Sequence, residues 1–147
     1  MTQLRKFILV TALALTTCFA SQAITIDDFY KYCSKLPNKT EVKIPSLLLK
    51  LKNRHLSQLK VIDIEQLSAQ QRNYVTSQLD SITVSKEGSI IRNNESDDEI
   101  SYIYIQPQDN DKDITMLITN IDDDELAVVY IRCNKAILNE LIEEYND

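Results

Sequence analysis

Three groups of carboxylates lie in the second half of the chain: Glu95 with Asp97, Asp98 and Glu99; Asp109 with Asp111 and Asp113; and Asp122, Asp123 and Asp124 with Glu125. Hard cations such as calcium take several carboxylate oxygens at once, and paired carboxylates also serve hydrolysis by acid and base, so both chemistries are candidates. The spacing of Asp109, Asp111 and Asp113 imitates the start of an EF-hand loop. Ile114 stands where that loop needs glycine and Asn120 where it needs a bidentate glutamate, which excludes the motif. If the flanking strands form a meander, alternate turns emerge at one end of the sheet. The first and third groups then meet, and Asp97, Asp98, Asp122, Asp123 and Asp124 are the metal candidates. Solvated turns that keep the protein soluble are the plain alternative.

Other reactive side chains are few. His55 is the single histidine and ends a Lys- and Arg-rich stretch, a position that suits a cation at a helix C-terminus better than a base. A nucleophilic pair of Cys33 and His55 is conceivable, but Cys33 falls at the apolar spacing of its element, and buried structural thiols are inert. The single glycine, Gly88, excludes the P-loop, the dinucleotide fingerprint and the G-x-S-x-G elbow, all of which depend on glycine. No cofactor is implied. Sixteen Lys and Arg against 22 Asp and Glu give a net charge of −6, which repels phosphate backbones and anionic lipid, so nucleic acid is excluded and membrane contact is expected only through lipidation.

Residues 1–23 open with a short basic segment, Met1 to Lys6, continue as an apolar stretch from Phe7 to about Ala20, and close with Ser21-Gln22-Ala23. This is the layout of a secretory signal peptide, with cleavage after Ala23 and an apolar stretch too short for a transmembrane span. The rival reading is a lipoprotein, because Leu15-Thr16-Thr17-Cys18 places a lipidation candidate, Cys18, at the end of the apolar stretch. Export to the periplasm or outer membrane permits a disulfide, and Cys33 with Cys133 is the candidate pair; two buried free thiols would leave the same pattern.

Residues 24–147 have the length of one domain. Thr25 and Asp28 make a capping box ahead of Ile26, Phe29, Tyr30, Cys33 and Leu36 at helical spacing. Val42 to Ile44 is extended, and Pro45 opens a second helix with Leu47, Leu48 and Leu51 as its apolar side. Leu59 to Glu65 reads as a strand, and Ser68 with Gln71 begins a helix whose Tyr74, Val75 and Leu79 face the core. Alternation then predicts strands near Ile82–Ser85, Ile100–Gln106, Ile114–Thr119 and Leu126–Cys133, and a last helix over Lys135–Tyr145. This order implies an α+β fold, a mostly antiparallel sheet with helices packed on one face.

Alternate residues sort the sheet into two faces. Ile103, Ile105, Ile114, Met116, Ile118, Val129, Ile131 and Cys133 form an aliphatic face, expected to be the core under the helices. The opposite face carries Tyr102, Tyr104, Thr115, Tyr130 and Arg132, expected to be open and suited to an envelope protein partner or a second copy of the chain. Tyrosines chosen for strand propensity on a half-solvated face are the alternative.

The segments Val42–Leu51, Leu59–Ile64, Ile114–Ile118 and Leu126–Ile131, with the Asp-rich turn between the last two, resemble a family of small exported Bacteroidetes proteins known only as a domain of unknown function. The resemblance implies the fold and export and carries no catalytic residues. The sequence therefore points to an exported, non-enzymatic binding module. An envelope lipoprotein, or a hydrolase or weak calcium binder using the acidic turns, are the alternatives.

Overall fold

Thr25 is extended, and its hydroxyl accepts the Asp28 N–H while the Asp28 carboxylate accepts the Thr25 N–H; this reciprocal cap starts helix α1 (Ile26–Ser34). The structure, a computed structural model, describes residues 23–94, 98–110 and 112–140. Strand β1 (Lys39–Ile44) follows Asn38, whose φ of 60° suits asparagine better than a branched residue. Helix α2 (Ser46–Lys52) comes next, with Pro45 as the residue before the helix rather than the first residue within it. After strand β2 (Leu56–Ile64), Ser68 and Gln71 repeat the reciprocal cap at the start of α3 (Ala69–Ser81). Val75 and Leu79 of α3 are buried, whereas Tyr74 is exposed and packs at 4.9 Å on Tyr32.

The remaining strands are β3 (Ser89–Asn94), β4 (Glu99–Pro107), β5 (Asp113–Asp122) and β6 (Glu125–Asn134). All pair antiparallel in one six-stranded sheet of order β1-β2-β6-β5-β4-β3, which establishes the α+β class with an antiparallel sheet. The strand expected at Ile82–Ser85 is displaced. Ile82 makes an isolated parallel bridge to Ile24, and the meander begins instead at β3, whose six residues are all exposed. Between them, Gly88 donates its N–H to the Ser85 carbonyl at 2.8 Å. A Cβ there would lie 2.6 Å from the Ile105 carbonyl oxygen, so only glycine lets the chain pass this close to β4.

The two faces are reversed from expectation. The larger buried cluster joins Tyr102, Tyr104, Leu117, Val128 and Tyr130 of the sheet to Phe29 and Cys33 of α1 and Val75 and Leu79 of α3. The tyrosine face is thus the main core. On the aliphatic face Ile114, Met116 and Cys133 form a small buried cluster, joined by Ile137 and Leu138 from helical residues 136–140, while Ile103, Ile105, Ile118 and Ile131 are only partly buried. The helical residues therefore touch both faces.

The same geometry corrects the disulfide. Cys33 lies in the tyrosine-face cluster and Cys133 in the aliphatic-face cluster, so the sheet stands between two buried free thiols. Burial pushes the Cys33 thiol up to about 12 and raises that of Cys133, which keeps both protonated and unreactive. Cys18 lies outside the described residues.

Candidate functional site

Each tyrosine of the expected docking face is buried because its hydroxyl has an internal partner. Tyr104 donates to the Leu79 carbonyl at 2.6 Å, Tyr102 to the Asp80 carboxylate at 2.7 Å, and Tyr130 to the Asp27 carboxylate at 2.8 Å. These bonds join β4 to α3 and β6 to α1. Burial raises all three phenols, Tyr102 to about 12. Thr115 is buried as well and accepts from the Gln108 amide. Arg132 is half-buried, with its Nε enclosed and without a hydrogen-bond partner among the described residues. Tyr102, Tyr104 and Tyr130 hold helices to the sheet and Thr115 is buried beneath Gln108, so these four offer no open surface.

Lys60 of β2 sits on the same face, with its Nζ 4.7 Å from the ring centroid of Tyr30 and 4.5 Å from that of Tyr130. The two rings are 5.4 Å apart, and the Tyr30 hydroxyl donates to Glu41 at 3.3 Å. Burial lowers the Lys60 pKa, with Lys43 adding to the effect. A polar hollow of about 240 Å³ opens beside this group, lined by Thr25, Asp27, Thr83, Gln106, Gln108 and Thr115. Of its two carboxylates, Asp27 is already engaged by Tyr130 and Asp109 stands on the exposed turn after β4.

The acidic turns are placed as the meander implies, yet they do not build a cation site from the described residues. The Asp123 N–H donates to the Asp98 carbonyl at 2.9 Å, so the first and third groups do share one end of the sheet. Asp98, Asp122, Asp123 and Asp124 are exposed, and no group of three or more His, Cys, Asp or Glu side chains converges among the described residues. Asp97 lies outside them. Asp123 has a φ of 53°, so its backbone serves the tight turn between β5 and β6. His55 faces Glu140, with its Nε2 3.9 Å from the carboxylate, while Cys33 is fully buried in the opposite cluster, so the two form no nucleophilic pair.

The surface that sequence reasoning missed is α2. Its expected apolar side, Leu47, Leu48 and Leu51, is exposed by 78%, 56% and 80%, and Leu49 alone is buried. Beside it lies an apolar groove of about 500 Å³ lined by Ile44, Leu48, Leu49, Leu51, Leu56 and Leu59, with Lys52 at its edge. Through Ile44 and Leu59 the groove is continuous with the aliphatic face, because these residues pair in register with each other and Leu59 pairs with Ile131. The sequence did contain a signal. Three consecutive leucines on a seven-residue helix turn by about 100° each, so they cannot all face one side.

No helix among the described residues is long and apolar enough to cross a membrane. Compared with known proteins, the chain matches no family model, no curated protein and no solved structure.

Proposed function

We propose that this chain is an exported protein of the cell envelope that works by binding rather than by catalysis, with α2 as the element that meets the envelope. The observation that carries this reading is the exposure of Leu47, Leu48 and Leu51 on a helix whose Leu49 alone anchors it. Contiguous exposed apolar side chains are costly in solution and mark contact surfaces. The basic, apolar and small-residue layout of residues 1–23 supports export.

Fractionation of cells producing the wild type and a Leu47→Ser/Leu51→Ser variant tests it. The wild type is expected with the envelope fraction and the variant released from it; equal distribution of the two removes α2 as the contact element. Intact mass is read in the same preparations. A start near Ile24 supports α2 as the attachment, whereas an acylated Cys18 favours the lipoprotein reading.

A further inference from the structure

We propose that α2 and its groove bind the surface of a bilayer containing anionic phospholipid, with the leucines entering the acyl boundary and the surrounding cations meeting the headgroups. This rests on the reading of α2 as the contact element and names its partner.

Charge complementarity is the first argument. The chain carries a net charge of −6, yet the stretch from Lys43 to His55 contains Lys43, Lys50, Lys52 and Arg54 and no acidic residue. Lys50, Lys52 and Arg54 are exposed and form no ion pair among the described residues; Lys43 pairs with Glu41 at 3.4 Å. Local charge is therefore opposite to the global charge, and it surrounds Leu47, Leu48 and Leu51. An apolar ridge edged by Lys and Arg is the arrangement by which short amphipathic segments lie in a membrane interface. Anionic lipid is specified because the exposed Lys50, Lys52 and Arg54 are drawn to it, each attraction near the surface being worth about fivefold in binding, against the repulsion of the acidic remainder.

Composition argues against a protein on this surface. Protein interfaces are rich in aromatic residues and poor in lysine at their centres, whereas this ridge is leucine and its margin lysine, with no aromatic residue between Ile44 and Leu59. A second copy is disfavoured for another reason. A two-fold contact through α2 would bring the Lys50 and Lys52 margins of both copies together, like charge against like. The groove beside the ridge, about 500 Å³ and lined by aliphatic side chains, has the chemistry to take an acyl chain.

Vesicle cosedimentation tests the proposal, using processed protein recovered from exporting cells. Vesicles of phosphatidylcholine alone are compared with vesicles in which about one third is phosphatidylglycerol. Binding to the anionic vesicles is expected to exceed binding to the neutral ones by at least about tenfold and to fall as salt rises. Lys50→Glu/Lys52→Glu is expected to lose that preference by about tenfold or more. Leu47→Ser/Leu51→Ser is expected to lose binding to both vesicle types while melting at the wild-type temperature. Equal binding to both vesicles, or binding unchanged by both variants, overturns the proposal. If anionic vesicles are not bound while cellular envelope association still depends on Leu47 and Leu51, lipid is the wrong partner and α2 remains the contact element. If cellular association is also indifferent to these leucines, the functional reading itself fails.

Discussion

The ammonium of Lys60 stands 4.5 Å from the ring centroid of Tyr130, so a cation from β2 lies over an aromatic face on the neighbouring strand β6. Tyr30 of α1 presents its ring to the same Nζ at 4.7 Å, and a cation placed over aromatic rings and partly withdrawn from water gains about 0.5 to 2 kcal/mol. Replacing Lys60 by Met keeps most of the stem and removes the charge, so Lys60→Met is expected to cost about 1 kcal/mol. Lys60→Glu places a carboxylate against the negative ring faces near Glu41 and Asp27, and is expected to cost about 2 kcal/mol or more. Urea unfolding of the two variants checks both the order and the size.

Alkaline conditions should unfold the protein early. Tyr30, Tyr32, Tyr102, Tyr104 and Tyr130 all titrate above their ordinary 10.0, chiefly because burial disfavours the phenolate. Above pH 10 the unfolded chain then binds fewer protons than the folded one, so stability falls as pH rises. Cys33 acts in the same direction from its ordinary 9.0 up to about 12. Lys60 acts in the opposite direction, since its folded value lies below 10.5 and the unfolded chain holds that proton longer. Cys133, also raised by burial, acts with Cys33, so seven groups oppose one. Melting temperature should be fully retained up to about pH 9 and decline steeply between pH 10 and 12, with tyrosinate absorbance appearing together with unfolding. A melting temperature flat to pH 12 would contradict the burial of these phenols.

Tyr104 separates the hydrogen bond from the ring. Tyr104→Phe removes the 2.6 Å partner of the Leu79 carbonyl, which still accepts from the Ile82 N–H, and is expected to cost about 0.5 to 1.5 kcal/mol, while Tyr104→Ala also opens a cavity under α3 and should cost about 3 to 5 kcal/mol. Both are read by denaturant titration. An alanine variant as stable as the wild type would place this ring outside the core.

The thiols give a chemical test of the two-sided sheet. Intact mass should not change on treatment with reductant, because Cys33 and Cys133 lie in clusters on opposite faces. A thiol reagent should modify neither at neutral pH until denaturant is added. A mass lower by two hydrogens before reduction would mean that the two cysteines meet.

Local signals were legible and global ones were not. The caps Thr25–Asp28 and Ser68–Gln71 are closed by residues three apart, so the sequence contains the whole interaction. Strand β6 was legible because alternation survives in it, whereas β5, buried on both faces from Ile114 to Leu117, was legible as a short apolar run between turn residues. Which face would be covered was not. An isoleucine face looks more like a core than a tyrosine face, until Tyr102, Tyr104 and Tyr130 are seen to find partners on α3 and α1, distant in sequence. β3 was hidden because Asn93 and Asn94 resemble turn residues, and its place at the sheet edge requires no apolar alternation. For the candidate site, the leucines of α2 were visible, but their outward direction depends on Leu49 being the one that docks.

The strand order also sets how the protein must assemble. Strands β3, β4, β5 and β6 pair with their neighbours in sequence, while β2 joins the sheet only by finding β6, with Ile64 opposite Leu126. The helix α3 and most of the meander lie between these partners, so this closure involves the largest loop between any two paired strands and is expected to be the slow step of folding. A chain made from its N-terminus produces the β1–β2 hairpin first and its acceptor strand last. Until β6 emerges, that hairpin is a pair of strands with no sheet to join, and until it docks, β6 is an unprotected edge. The interval between those two events is when this protein is most exposed to aggregation through unpaired strand edges.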